Sequence, residues 1–286
     1  MARTIGNPLS WTARQLGATG SHLAAATEEL GGENIAPPDA RTLSFTDIDA
    51  ALRKGWEDFL ASRADAIFAV LIYPVIGISL VAIGFQMDLL PLLFPIAAGF
   101  ALIGPVAAVG LYEISRRRER GEDVSWLDAF GVIQSPGFGR ILVLGLYLAA
   151  LYAIWMYAAN LIYALTLGPE PPVSASTFLG DVFTTGAGWA MIVAGMLVGF
   201  IFALVALAVS VVSFPLLLDR RIGLAQAVVA SYEVLRKNPV VILAWGAIVA
   251  AALVLGSIPL FFGLIVVMPV LGHATWHLYR RAVEPS

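Results

Sequence analysis

The sequence predicts an all-α, polytopic membrane protein: six transmembrane helices arranged as three hairpins, each preceded by an amphipathic helix lying in the membrane interface. Three observations carry that expectation. The 286 residues are 59% hydrophobic and only 13% charged, about half the charged fraction of an ordinary soluble chain. Long runs carry no charge at all, and about 20 apolar residues in a helix suffice to cross the hydrocarbon core. The 17 lysines and arginines fall only in alternate loops, the asymmetry that orients membrane helices.

Residues 1–40 are polar and rich in Gly, Ala, Ser and Thr, and hold no apolar core of a secretory signal. They read as a disordered cytoplasmic tail ahead of a membrane domain over 41–283. The first crossing is expected near 66–86 and the second near 89–112, with Asp88 in the turn between them. The third is 141–167 and the fourth lies within 187–218. No charged residue occurs from Asn238 to Tyr279, too long a run for one helix. Gly256-Ser257-Ile258-Pro259 supplies a tight turn, giving crossings at 239–256 and 259–279. Arginines and lysines then lie before the first crossing, in the second-to-third and fourth-to-fifth loops, and at the C-terminal end. The alternate loops hold only Asp88, Glu170 and Asp181. Both termini are therefore expected in the cytoplasm, and the localisation is a bacterial inner membrane.

Each basic segment opens a similar pattern, giving possible repeats at 44–118, 125–221 and 223–281. In SFTDIDAALRKGWEDFL, Phe45, Ile48, Leu52, Trp56 and Phe59 share a helical face, and Ser44 and Asp47 are spaced as a capping box. Ser125 and Asp128 repeat the box, with Trp126, Phe130 and Ile133 facing one way. Leu224, Val228, Tyr232 and Leu235 form the third face. Such helices with basic flanks suit an interface with anionic inner-leaflet lipids. Prolines near the cytoplasmic ends, Pro105, Pro215 and Pro269, mark the second helix of each hairpin. The first and last copies align at Pro105/Pro269, Val106/Val270, Arg116/Arg280 and Arg117/Arg281. Six helices in three repeats also describe mitochondrial carriers, but Pro74 is followed by Val-Ile-Gly-Ile rather than their acid-and-base motif.

Chemistry-bearing motifs are scarce. Cysteine is absent, which excludes thiolate metal sites, disulfides and cysteine nucleophiles. No nucleophile elbow, zinc helix or phosphate loop occurs. The charges are segregated by membrane side, so a net −3 points to no nucleic-acid partner. Mid-membrane ionisable groups, the usual markers of transport paths, are missing from the expected spans. Asn160 is the deepest strong hydrogen-bonding residue, a candidate for bonding across helices or for a substrate path. Gly195 and Gly199 form a Gly-x-x-x-Gly face suited to close packing. His273 and His277 lie one turn apart on the last helix, shallow on the cytoplasmic side. They are candidate haem or metal ligands, with Glu113 as a third ligand because the repeat alignment sets it opposite His277. No cofactor is expected, and hydrogen bonding within the bundle is the main reading of the pair.

Several stretches, among them LIYPVIGISL, LLPLLFPIAAGFALIGPVAAVGLYEISRRRE, VSFPLLLDR and PVLGHATWHLYRR, resemble the bacterial domain-of-unknown-function 2189 integral membrane family, most firmly over about 40–283. The resemblance implies a six-helix inner-membrane protein and supplies no catalytic residues. A respiratory label carried by some members would imply at most an accessory role, since the histidine set of an oxidase is lacking. The expected function is a non-enzymatic scaffold or accessory protein, with a possible membrane-protein partner. A small-molecule or lipid transporter is the alternative, and a haem- or metal-binding respiratory accessory subunit stands third.

Overall fold

A computed structural model describes residues 36–61 and 87–284, with isolated helical positions at 75, 77–79 and 82. The first expected crossing and nearly all of the N-terminal tail lie outside the described residues. The described residues are 81% helical, with no strands among them. Its one isolated bridge among the described residues pairs Ala40 with Val283.

Helix α1 is Phe45–Ala61. A short 3₁₀ turn, Met87–Leu92, leads into α2, Leu93–Ala107, and α3, Val109–Glu119. The second expected crossing is thus one path broken at Ala108. Pro105 lies three residues before the break and contributes no N–H to the helix ladder. A 3₁₀ helix, Trp126–Gln134, precedes α4, Phe138–Thr166, and α5, Ala175–Thr184. Then come α6, Gly186–Ser210, and α7, Ser213–Asp219, which places Pro215 in its first turn, where an N–H is not needed. Helix α8 is Leu224–Lys237, α9 is Pro239–Ser257 and α10 is Leu264–Ala282. The turn between α9 and α10 sits slightly later than its sequence signal. Gly256 and Gly263 meet there so closely that a Cβ on Gly263 would lie 2.7 Å from the Gly256 backbone.

Among the described residues, three helical runs are long and apolar enough to cross a membrane: α4, the joined α6–α7 run, and α9. At 29 residues, α4 is about 43 Å long, so it tilts or projects beyond a hydrocarbon core of about 30 Å. These runs bury little of themselves in protein, and side chains such as Ile154, Leu165, Phe200 and Val254 face outward. That is the pattern of helices whose solvent is lipid. The tightly packed region lies instead around the basic loops, where Trp276, Tyr112, Tyr279, Phe214 and Ile222 are fully buried.

The three basic-loop elements dock in a cyclic order. Helix α1 packs along α10, the 3₁₀ helix 126–134 packs on α3, and α8 packs on α7 and α6. Ile48 is buried and Leu52, Leu224, Val228 and Leu235 pack against the core, but the most buried positions are small residues rather than the aromatic ones. Helix α1 buries Ile48, Ala51, Gly55 and Asp58, while Phe45 is 59% and Trp56 45% exposed. Backbone proximity is the reason: a Cβ on Gly55 would lie 2.6 Å from the Ala274 nitrogen, an approach that aromatic side chains would prevent. Helix α8 likewise buries Ala227, Ala230, Ser231 and Val234 and leaves Tyr232 outward.

Candidate functional site: a buried carboxylate clasped by serine and histidines

Asp58 sits in the last turn of α1, on the small-residue face that meets α10. Its Oδ2 accepts a hydrogen bond from Ser115 Oγ of α3 at 2.6 Å and contacts His277 Nε2 of α10 at 2.9 Å. Ser115 Oγ is also 2.8 Å from His273 Nδ1. Because a carboxylate only accepts, the serine proton points to Asp58 and the serine oxygen must accept from His273. The chain of donors is then His273 Nδ1–H to Ser115, Ser115 O–H to Asp58, and His277 Nε2–H to Asp58. Arg118 closes the other oxygen, with Nε 3.2 Å from Oδ1.

Three helices distant in sequence thus converge on one carboxylate. Ser115 is fully buried and His273 is 1% exposed. Burial disfavours the Asp58 charge. Hydrogen bonds from His277 and Ser115, with the histidines' electrostatic contribution, outweigh that and hold its carboxyl below its usual range. Outside the cluster lies a cleft of about 290 Å³ lined by Lys54, Glu57, Arg118, Glu119 and His277, among others.

A belt of ion pairs surrounds the clasp. Glu119 accepts from Trp276 Nε1 at 3.0 Å and pairs with Arg280 at 3.1 Å. Asp219 accepts from Tyr279 at 2.7 Å and from Arg280 at 3.3 Å. The two capping acids share one device. Asp47 bonds the Ser44 backbone and Arg281, and Asp128 bonds the Ser125 backbone and Arg117. For Asp128 the Ser125 backbone bond is the main cause of a lowered pKa. Nearby, Asn238 accepts from the Leu43 N–H at 2.7 Å and donates to Arg41 O at 2.8 Å. The Arg41 N–H donates to Ala282 O at 2.8 Å. The segment before α1 is therefore tied to the end of α10.

The structure brings His273 and His277 together, but their acid is Asp58. The Glu113 carboxylate is bonded instead by Arg116 and Arg117, at 2.7–2.9 Å. Among the described residues no group of three or more His, Asp or Glu is placed to hold a metal ion. Asn160 is exposed on α4. Gly199 lies against the Trp155 ring, 3.1 Å from a Cβ placed on it, while Gly195 faces open space, so only one of the pair brings α6 close to α4. Pro269 is buried within an unbroken α10. Sequence reasoning missed Asp58. Its signal was the Ala51, Gly55, Asp58 spacing, an acid continuing a stripe of small residues.

Residues 93–219 match a family model described as a predicted integral membrane protein, DUF2189. Over that segment, less than half of the chain, the protein is similar to this family. The resemblance read from the sequence is therefore shown from α2 through α7. No curated protein and no solved structure matches the chain. The DUF2189 match includes Ser115 and Arg118 but stops short of Asp58, His273 and His277, so it covers the middle of the clasp and not its two outer arms.

Proposed function

We propose that this protein is a non-enzymatic scaffold or accessory protein of the bacterial inner membrane, crossing six times as three hairpins with both termini cytoplasmic. One observation carries the reading: a cluster of buried polar residues on the basic side is bonded across helices and holds them together. Asp58, Ser115, His273 and His277 join α1, α3 and α10, and Glu113 holds Arg117, which reaches Asp128 of the 3₁₀ helix.

The cyclic docking supports three repeats. The 3₁₀ helix packs on α3, which follows the Pro105-bearing α2, while α8 packs on the Pro215-bearing α7 and α1 on the Pro269-bearing α10. Arg117 and Arg281, aligned in sequence, pair with the capping acids Asp128 and Asp47 of the next copy around the ring. The middle exit helix is shorter, and Gly223 and Gln226 replace the serine and aspartate, so the third pair is lacking. Affinity purification of the full chain in mild detergent tests the scaffold reading. A reproducible protein partner is expected, and a protein that runs alone would overturn it. A transporter is the second reading, favoured by the cleft that reaches Asp58 and His277. Solute or proton flux in proteoliposomes, abolished by Asp58→Asn, would establish it over the first.

A further inference from the structure

We infer that the outward faces of the three basic-loop elements form a collar seated at the headgroup–acyl boundary of the bilayer, held by apolar area rather than by anionic headgroups. The inference rests on the membrane orientation proposed above. The clearest face belongs to the 3₁₀ helix. With three residues per turn, Leu127, Phe130 and Ile133 stack in one line, each 57–59% exposed. Helix α1 leaves Phe45 and Trp56 outward and α8 leaves Tyr232 outward, because small residues make the contacts with protein. Contiguous exposed apolar faces on soluble surfaces are small and few; here they recur once on each element of the ring.

Continuity identifies the occupant. The 3₁₀ helix ends at Gln134 and α4 begins at Phe138, where Leu142 and Leu146 carry on an exposed apolar surface into a candidate span. Helix α8 passes through Asn238 alone into α9, whose Val240 is exposed. The faces therefore run into surfaces that lipid covers. Charge does not select the lipid, since the cations beside these faces already stand among acids: Arg236 pairs with Glu233, and Arg53 and Lys54 share α1 with Asp49 and Glu57. Aromatic and aliphatic side chains at that depth are what an interfacial helix uses.

The absence of cysteine permits single nitroxide labels without background. Leu127→Cys, Ile133→Cys and Tyr232→Cys, with Glu122→Cys as a loop control, are labelled in the full chain. Each is reconstituted in phosphatidylcholine vesicles and in vesicles containing phosphatidylglycerol. The three face labels should collide severalfold more with oxygen than with a water-soluble nickel complex, relative to the control, and equally in both lipids. Nickel accessibility like that of the control would overturn the inference. So would shielding from both probes, which marks a protein occupant, or an oxygen preference only with phosphatidylglycerol. A label at Leu142→Cys on α4 reports the span independently. If it too is water-exposed, the membrane orientation has failed; if it alone prefers oxygen, only the collar has failed.

Discussion

Replacing Asp58 by leucine removes the acceptor on which the clasp converges while roughly keeping the side chain's bulk. Ser115 Oγ and His277 Nε2 then lose the oxygen they share at 2.6 and 2.9 Å. Both lie where water has little access, Ser115 being fully buried and His277 9% exposed. An orphaned buried donor costs about 1–3 kcal/mol, so two cost about 3 kcal/mol after partial relaxation. Arg118 adds little, because its side chain is 31% exposed and rehydrates. Asp58→Asn keeps a carbonyl for both donors and loses only charge assistance, about 1 kcal/mol. Hydrogen exchange of the α1 amides in detergent reads the difference directly. Leucine should speed exchange by on the order of 100-fold and asparagine by about fivefold, since about 1.4 kcal/mol is a factor of ten. Equal exchange in the two variants would refute the reasoning, because it would mean that the acceptor does not hold α1 to α10.

The same carboxylate sets a pH dependence. Its folded pKa lies below the ordinary 3.8, so its contribution is present above that value and is lost as pH falls through the depressed one. The gap in melting temperature between the native chain and Asp58→Asn should be steady at neutral pH and close below about pH 4. Gly55→Val should lower the melting temperature sharply, because its Cβ would lie 2.6 Å from the Ala274 backbone. Gly195→Val, with open space around it, should leave it within about a degree on the scale of an exposed substitution. Asp128→Asn breaks a partly exposed pair with Arg117 and should cost no more than about 1 kcal/mol by the same exchange assay.

The legible parts of the molecule were those that depend on one helix at a time. Charge-free runs located α4, the α6–α7 run and α9, and the serine–aspartate spacing announced the capping box at Ser125 and the Asp47 carboxylate's bond to the Ser44 backbone. Residues in contact across helices were harder. Phe45 and Trp56 suggested the face of α1 by their size, yet closeness of approach, set by Ala51 and Gly55, decides which face is buried. In the 126–134 stretch a threefold spacing of Leu127, Phe130 and Ile133 stood in the sequence, but it has meaning only once the helix is 3₁₀. Glu113 aligned with His277 by repeat position, and local arginines at i+3 and i+4 claimed it instead. Asp58 and His277 are separated by 219 residues, and no local pattern joins them.

The docking of α1 against α10 carries a consequence for how the chain is made. Helix α1 precedes every described span during synthesis, whereas α10, with both histidines, leaves the ribosome last of the described helices. Until then Asp58 has no imidazole beside it and the small-residue groove of α1 lies open. The contact between α1 and α10 therefore waits until α10 has been made. Contacts of such long sequence separation form late. A nascent protein stalled before α10 would display α1 without the histidines that meet Asp58.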